Sequence, residues 1–281
     1  MTLTLSVINR YPIKSCRGHG VTCAVVEPWG LAGDRRWMLV GDDGSVVTAR
    51  QCPYLVLVRP ELQAGGLLVR APDADPLRVQ APDGAALIDV RVFSSALAAA
   101  PAPDAAHAWF SKVIGQPVRL VYLDDPTRRR PNPRYSKVAD RVSFADGYPL
   151  LLATEESLAA LNDLIAEGPR AEEGPVPMVR FRPNLVVAGA APWAEDGWRV
   201  LRIGAAQFRA AKACDRCVLT TIDPDTASRG REPLMTLARH RRWDGKAWFA
   251  INLIPDSPGA AVHVGDHVEV LEQVAAGEPL R

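Results

Sequence analysis

The sequence predicts an α+β protein dominated by β-structure. A β-barrel-like unit fills the first part of the chain, and a second β-rich unit with two or three helices follows it. Three observations carry this. Short alternating apolar runs recur through the first ninety residues with turn signals between them. Glycine (21) and proline (24) are frequent, which favours turns and short strands over long helices. The clearest helical pattern is confined to residues 154–165.

In chain order, residues 3–8 and 21–27 alternate as strands, with a turn at 18–20. Residues 36–40 form an apolar strand, and Gly41-Asp42-Asp43-Gly44-Ser45 is the hairpin turn before residues 46–49. Three further short segments reach Val92, punctuated by glycine and aspartate. The Ala/Pro-rich stretch 97–103 reads as a surface connection, and Asp104 as an N-cap. Residues 105–114 have helical spacing, with Trp109, Phe110 and Val113 on one face. A strand at 118–123 follows, then a proline-broken basic loop at 124–135. Thr154 caps the main helix; Glu155 and Glu156 lie in its first turn, and Leu158, Leu161, Leu164 and Ile165 form its apolar stripe. After a loop at 167–177, strands are expected at 185–187, 199–203, 206–210 and 217–222. A short helix at 234–239 and closing strands at 249–254 and 267–271 complete the pattern.

Composition narrows the function. Thirty-three basic and 32 acidic residues give a net charge of +1, which excludes bulk electrostatic binding to nucleic acid. No apolar run reaches the roughly 18–20 residues a bilayer span needs. Residues 1–10 alternate and lack the pattern of a secretory leader. No membrane association and a cytoplasmic location are therefore expected. The five cysteines, Cys16, Cys23, Cys52, Cys214 and Cys217, are odd in number and sparse, which argues against a disulfide scaffold. Five scattered histidines give no zinc-hydrolase signature.

The sharpest local motif is Lys212-Ala213-Cys214-Asp215-Arg216-Cys217. A Cys-x-x-Cys pair can be half a zinc site, a redox dithiol, a single thiolate ligand beside a bystander, or buried structural cysteine. No second pair exists to complete a four-cysteine zinc site, and the strand-like run after the motif weakens the thioredoxin-like reading. Arg216 and Lys212 are placed to favour a neighbouring thiolate. Tyr11-Pro12-Ile13-Lys14-Ser15-Cys16-Arg17-Gly18 can present amides and a cation to an anion, and would read the same as a polar turn. Adjacent Arg35 and Arg36, after the turn at Gly33, can clamp a phosphate or form a solvated pair. Arg182 and Asn184 flank Pro183 at a strand start, and Asp146 is either a turn aspartate or a proton-handling carboxylate.

Taken together these motifs are far more specific than any one of them. The run from Tyr11 to Gly18, Gly33-Asp34-Arg35-Arg36-Trp37 and Val47-Thr48-Ala49-Arg50-Gln51 resemble the N-terminal β-barrel of MOSC proteins. Phe181-Arg182-Pro183-Asn184, Trp193-Ala194-Glu195-Asp196-Gly197-Trp198, Cys214-Asp215-Arg216-Cys217, Glu232-Pro233-Leu234 and Val264-Gly265-Asp266 resemble the MOSC domain itself. The whole pattern is similar to the mitochondrial amidoxime-reducing component and its bacterial YcbX-type relatives. The resemblance implies an N-terminal β-barrel domain over residues 1–122, including the helix near 105–114. A MOSC β-barrel domain follows at 123–272, and a tail at 273–281.

It also implies bound molybdenum cofactor (Mo-molybdopterin) and reduction of N-hydroxylated substrates such as amidoximes, hydroxylamines and N-hydroxylated bases. The implied metal ligand is Cys217, with Cys214 at a non-ligand position. Cofactor contacts fall on Lys14, Ser15, Arg35, Arg182, Asn184 and Arg216, and also on Asp215, where the family usually has a small hydroxylated residue. Asp146 is the carboxylate near the metal, expected to handle protons, and Gly147 and Tyr148 stand where mitochondrial relatives have small hydroxylated residues. A soft thiolate suits molybdenum, and a phosphate-bearing cofactor suits several fixed cations. No four-cysteine cluster spacing follows the second domain, so electrons are expected from a separate protein of flavin, iron–sulfur or cytochrome b5 type. The basic loop 128–134 is a docking patch, a substrate rim or simply a solvated loop. The competing reading is a non-catalytic cofactor-binding or sulfur-carrier module with a persulfide on Cys217.

Overall fold

A computed structural model describes residues 2–275. The part of the expected tail beyond residue 275 lies outside them. In chain order the first half comprises β1 (Thr4–Arg10), β2 (His19–Val21), β3 (Cys23–Glu27), β4 (Gly30–Leu31), β5 (Trp37–Val40), β6 (Val46–Val47), β7 (Arg59–Gln63), β8 (Gly66–Ala71), β9 (Ala74–Gln80), β10 (Ile88–Val92), β11 (Ser95–Pro101), helix α1 (Asp104–Ile114) and β12 (Arg119–Tyr122). The second half comprises β13 (Leu150–Thr154), α2 (Glu155–Ala166), β14 (Leu185–Ala188), β15 (Trp198–Ile203), β16 (Ala206–Asp215), α3 (Leu234–His240), β17 (Arg242–Trp243), β18 (Lys246–Pro255), β19 (Ala261–His263) and β20 (Val268–Gln273). The β-dominated α+β class is the observed one.

The largest sheet runs β2-β1-β14-β13-β18-β16-β15-β20, with β17 paired to β18. Its ends meet. Thr4 bridges His267, the Leu5 amide donates to Asp266 O at 2.9 Å, and the Val268 amide donates to Leu3 O at 3.0 Å. The sheet therefore closes into a barrel around Leu5, Ile8, Leu152, Leu185, Leu201, Phe208, Ile251 and Leu253. A register shift between Leu5 and Val7 lets Leu5 and Ile8, three residues apart, both face inward. Strand β13 shows the period of two: Leu150 and Leu152 point into the barrel, Leu151 and Ala153 into a second core under α2 and α3. That two-sided cover explains why β13 reads as an unbroken apolar run.

A smaller sheet, β10-β11-β12-β5-β6, also curls on itself, Ser45 bridging Arg91, around Met38, Val40, Val92, Val121, Leu123 and Phe144. A fourth core lies between α1, the sheet β7-β8-β9 and the wall of this barrel.

Several expectations are corrected. The stretch 97–103 is largely strand β11, because alanines pack against β10 and β12 without bulk. Asp104 opens α1 inside its first turn, and Pro103 holds the N-cap position. Residues 217–222 are not a strand. Val218–Thr221 is a 3₁₀ turn, and the hydroxyls of Thr220 and Thr221 donate to Cys217 O and Val218 O, satisfying carbonyls that a sheet would otherwise take. The sheets also run between the two halves: β1 pairs with β14, and β3 with β19, so residues 4–31 help build the second half's barrel. Conversely, Ile222 is buried in the core beside α1. The main helix is as expected, with Thr154 Oγ1 accepting from the Ser157 amide at 3.2 Å.

Candidate functional site

The two halves meet at a cavity of about 490 Å³. All nine residues expected at the site line it: Lys14, Ser15, Arg35, Asp146, Arg182, Asn184, Asp215, Arg216 and Cys217. They come from five separate stretches of chain, Asp146 from the coil before β13. The loop after β1 brings Lys14 and Ser15, and the turn after β4 brings Arg35. The segment before β14 brings Arg182 and Asn184, and the end of β16 brings Asp215, Arg216 and Cys217. Two register shifts in β16 against β18, the second between Ala213 and Asp215, turn the strand out of the sheet just before Cys217. The Arg216 amide still holds Ala247 O at 2.8 Å, and Cys217 then enters the 3₁₀ turn.

Ser15, Arg35 and Arg182 have φ of 68°, 47° and 60°, the left-handed region that side chains avoid. Tertiary contacts hold the two arginines there. The Arg35 amide donates to Tyr11 O at 2.8 Å; its guanidinium donates to Asn184 Oδ1 at 2.8 Å and to Arg182 O at 3.2 Å, and pairs with the fully buried Asp34. Arg182 Nη1 donates to Cys16 O at 2.7 Å. Both guanidinium groups lie 4.4 Å from the centre of the buried Tyr11 ring. Burial outweighs the pull of these cations and pushes the Tyr11 hydroxyl up to about 12.

Lys14 is 4% exposed. Its ammonium donates to Phe144 O at 2.7 Å and pairs with Asp146, whose other oxygen accepts from Arg50 at 3.0 Å. Desolvation outweighs Asp146 and brings Lys14 down to about 8. At Asp146, desolvation is itself outweighed by Lys14, Arg50 and Arg35, so this carboxyl is held well below the usual range. Asp146 thereby ties two cations, Lys14 and Arg50, to the same wall of the cavity.

Asn184 is fully buried, its Oδ1 accepting from Arg35 and from the Leu151 amide and its Nδ2 donating to Asn9 O. Asp215 pairs with Lys212 at 3.1 Å and Lys246 at 3.2 Å, and these cations keep its carboxyl low against the effect of burial. Lys212 thus serves Asp215 rather than a thiol. Arg216 donates to Phe181 O at 2.8 Å and to Cys214 Sγ at 2.8 Å, while its Nε is buried without a partner. Burial nevertheless raises the Cys214 thiol. Among the described residues, Cys217 Sγ makes no hydrogen bond. The two cysteines are therefore unequal: one is occupied by Arg216, the other is free to bind.

Sequence reasoning left out Phe93 and Asn132, which also line the cavity, and gave Arg50 no role. Phe93, with φ of 54°, presents its ring to Lys14 at 5.1 Å and Arg50 at 5.0 Å. Its signal, an aromatic at a hairpin tip, was visible but not distinctive. The loop 128–134 is also different from expectation. Arg129 is buried and bonded to carbonyls of the 143–146 segment, so only part of the loop is a solvated basic surface.

Six basic side chains face this cavity against two acidic ones. With one unengaged thiol and an orphaned guanidinium nitrogen among them, they fit an anionic ligand that offers a soft, thiophilic centre. Among the described residues no helix is long and apolar enough to cross a membrane.

Residues 2–117 match the MOSC N-terminal beta barrel domain and residues 139–269 the MOSC domain. The human mitochondrial amidoxime-reducing component 1 is 34% identical over 289 residues, covering 96% of this chain and 83% of its own length. The human mitochondrial amidoxime reducing component 2 is 35% identical over 252 residues, 86% of this chain and 73% of its own. A molybdenum cofactor sulfurase of Oryza sativa subsp. japonica is 34% identical over 266 residues, 89% of this chain but only 32% of the sulfurase.

Proposed function

The chain belongs to the MOSC family, sharing both domains with the mitochondrial amidoxime-reducing components, and on that premise we propose that it is a molybdenum-cofactor-dependent reductase of N-hydroxylated compounds. The observation that carries the reading is the single cavity in which Cys217 shares space with Lys14, Arg35, Arg182 and Arg216. Cys217 would supply the thiolate ligand. Lys14, Arg35, Arg182 and the free Nε of Arg216 would hold the anionic parts of the cofactor. Ser15 would add a hydroxyl, Asn184 would hold Arg35 in place, and Asp215 would hold Lys212 at the wall. Bound there, molybdenum would supply the two-electron exchange by which an N–OH group takes up two protons and leaves as N–H and water. The electrons come from a separate redox protein, and the location is cytoplasmic.

The test is the protein purified from a host that makes the cofactor. About one molybdenum per chain is expected, together with reduction of hydroxylamine or an amidoxime by an artificial donor. Cys217→Ala should lose both metal and activity, whereas Cys214→Ser should keep most of each. Metal-free protein from such a host would end the proposal. The sulfurase relative favours a second reading, a sulfur carrier. It predicts an adduct of about +32 Da on Cys217, one sulfur atom, without bound pterin.

A further inference from the structure

Residues 136–149 contain no helix or strand, yet they carry the Asp146 wall of the cavity. Without a ladder, their carbonyls need other donors. Arg129, 4% exposed, provides them: Nη1 donates to Ser143 O and Ala145 O, both at 2.5 Å, and Nη2 donates to Asp146 O at 2.9 Å. The one carbonyl between these, Phe144 O, accepts from Lys14. Four successive carbonyls are thus each held by a buried cation. Phe144 fixes the segment from the other side. Its ring is in the small barrel's core, and its amide donates to Arg35 O at 2.9 Å. A guanidinium buried against carbonyls rather than a carboxylate is costly to desolvate, so it stands where its geometry matters.

We propose that Arg129 is a positioning residue for the cavity: by gripping the backbone of residues 143–146 it fixes the Asp146 carboxylate between Lys14 and Arg50, and so sets how far those cations are free for an incoming anion. Asp146 then acts as a built-in competitor that a ligand must displace from the two cations. The inference rests on reading the cavity as an anion site, and the experiment separates the two.

The measurement is sulfate affinity of the metal-free full chain by calorimetry, for the parent, Asp146→Asn, Arg129→Lys and the double variant. Removing the competitor in the parent should tighten sulfate binding about fivefold, and the same change in the Arg129→Lys background should alter it less than about twofold. A purely structural role for Arg129 would leave the Asp146→Asn effect equal in both backgrounds, and that result overturns the proposal while leaving the anion site standing. A chain that binds no sulfate with either residue at 146 overturns both. Should Arg129→Lys fail to fold, NMR of the Arg129 guanidinium in the unaltered chain decides. Its Nη protons should exchange slowly with solvent, and exchange at the rate of an exposed arginine refutes the grip.

Discussion

Ser15, Arg35 and Arg182 show what a sequence hides at the level of single residues. Each is a non-glycine residue with a left-handed backbone, at a cost of roughly 1–3 kcal/mol. The resemblance named them as cofactor contacts; their backbone strain was invisible, because the contacts around Arg35 and Arg182 come from Asn184 and Cys16, 149 and 166 positions away. Gly33, with φ of 79°, was the legible sign that a turn begins there. The partnership of Asp146 with Lys14 was equally hidden, since 132 residues separate them. Lys14 yields a prediction of its own. An ammonium brought to about 8 by burial attracts an anion below that pH and loses its charge above it. Sulfate, whose charge is constant, should therefore bind more weakly as pH rises from 7 to 9. Lys14→Met should weaken binding at pH 7 by about tenfold and flatten this dependence, as calorimetry at several pH values will show.

Among the elements, α2 was legible to within a residue because its capping threonine, acidic first turn and apolar stripe are all local signals. The turn after Cys217 was not. Val218 to Ile222 has the residue types of a strand, and only the threonine hydroxyls turning back on the chain decide otherwise. Strand β11 was missed for the opposite reason, since alanine and proline carry little strand signal and its identity comes from its neighbours. The start of α2 also holds a buried acid. Glu195 is 1% exposed, and its Oε2 accepts from Ser157 Oγ at 2.8 Å and Thr154 Oγ1 at 3.1 Å. Burial pushes its carboxyl up to about 7 despite those bonds. The folded state thus keeps a proton that the unfolded chain releases near its ordinary pKa. The associated stability is full below that value and is lost as pH rises through 7, about 3 kcal/mol in all. Glu195→Gln should melt higher than the parent at pH 8, and the difference should vanish near pH 5 in thermal unfolding scans.

At the scale of the molecule, the two barrels are interlocked. Residues 4–31 complete the larger barrel, while Leu219, Ile222 and Ala227 enter the core beside α1. Polar ties run across the same seam: Arg17 to Asp225 at 2.7 Å, and Arg229 to Arg50 O at 2.6 Å. Two barrels were readable from strand spacing and motif, but their exchange of segments was not, because paired residues lie far apart in the chain, 184 positions for Thr4 and Ala188 and 263 for Thr4 and His267. One cooperative unfolding transition is expected by calorimetry. Ile222→Ala should cost about 2–5 kcal/mol and lower that single transition as a whole. Two separate transitions, with only one displaced, would contradict the interlocking.

The closing bridge between Thr4 and His267 has a bearing on how the molecule comes into being. β1 waits for a partner 263 positions further along the chain. It can pair with β2 as soon as both are made, but the barrel stays open until the far end of the sheet arrives, a high-contact-order path that is slow. The lining of the cavity itself runs from Lys14 to Asn252, so its wall is complete only after most of the described residues have been made.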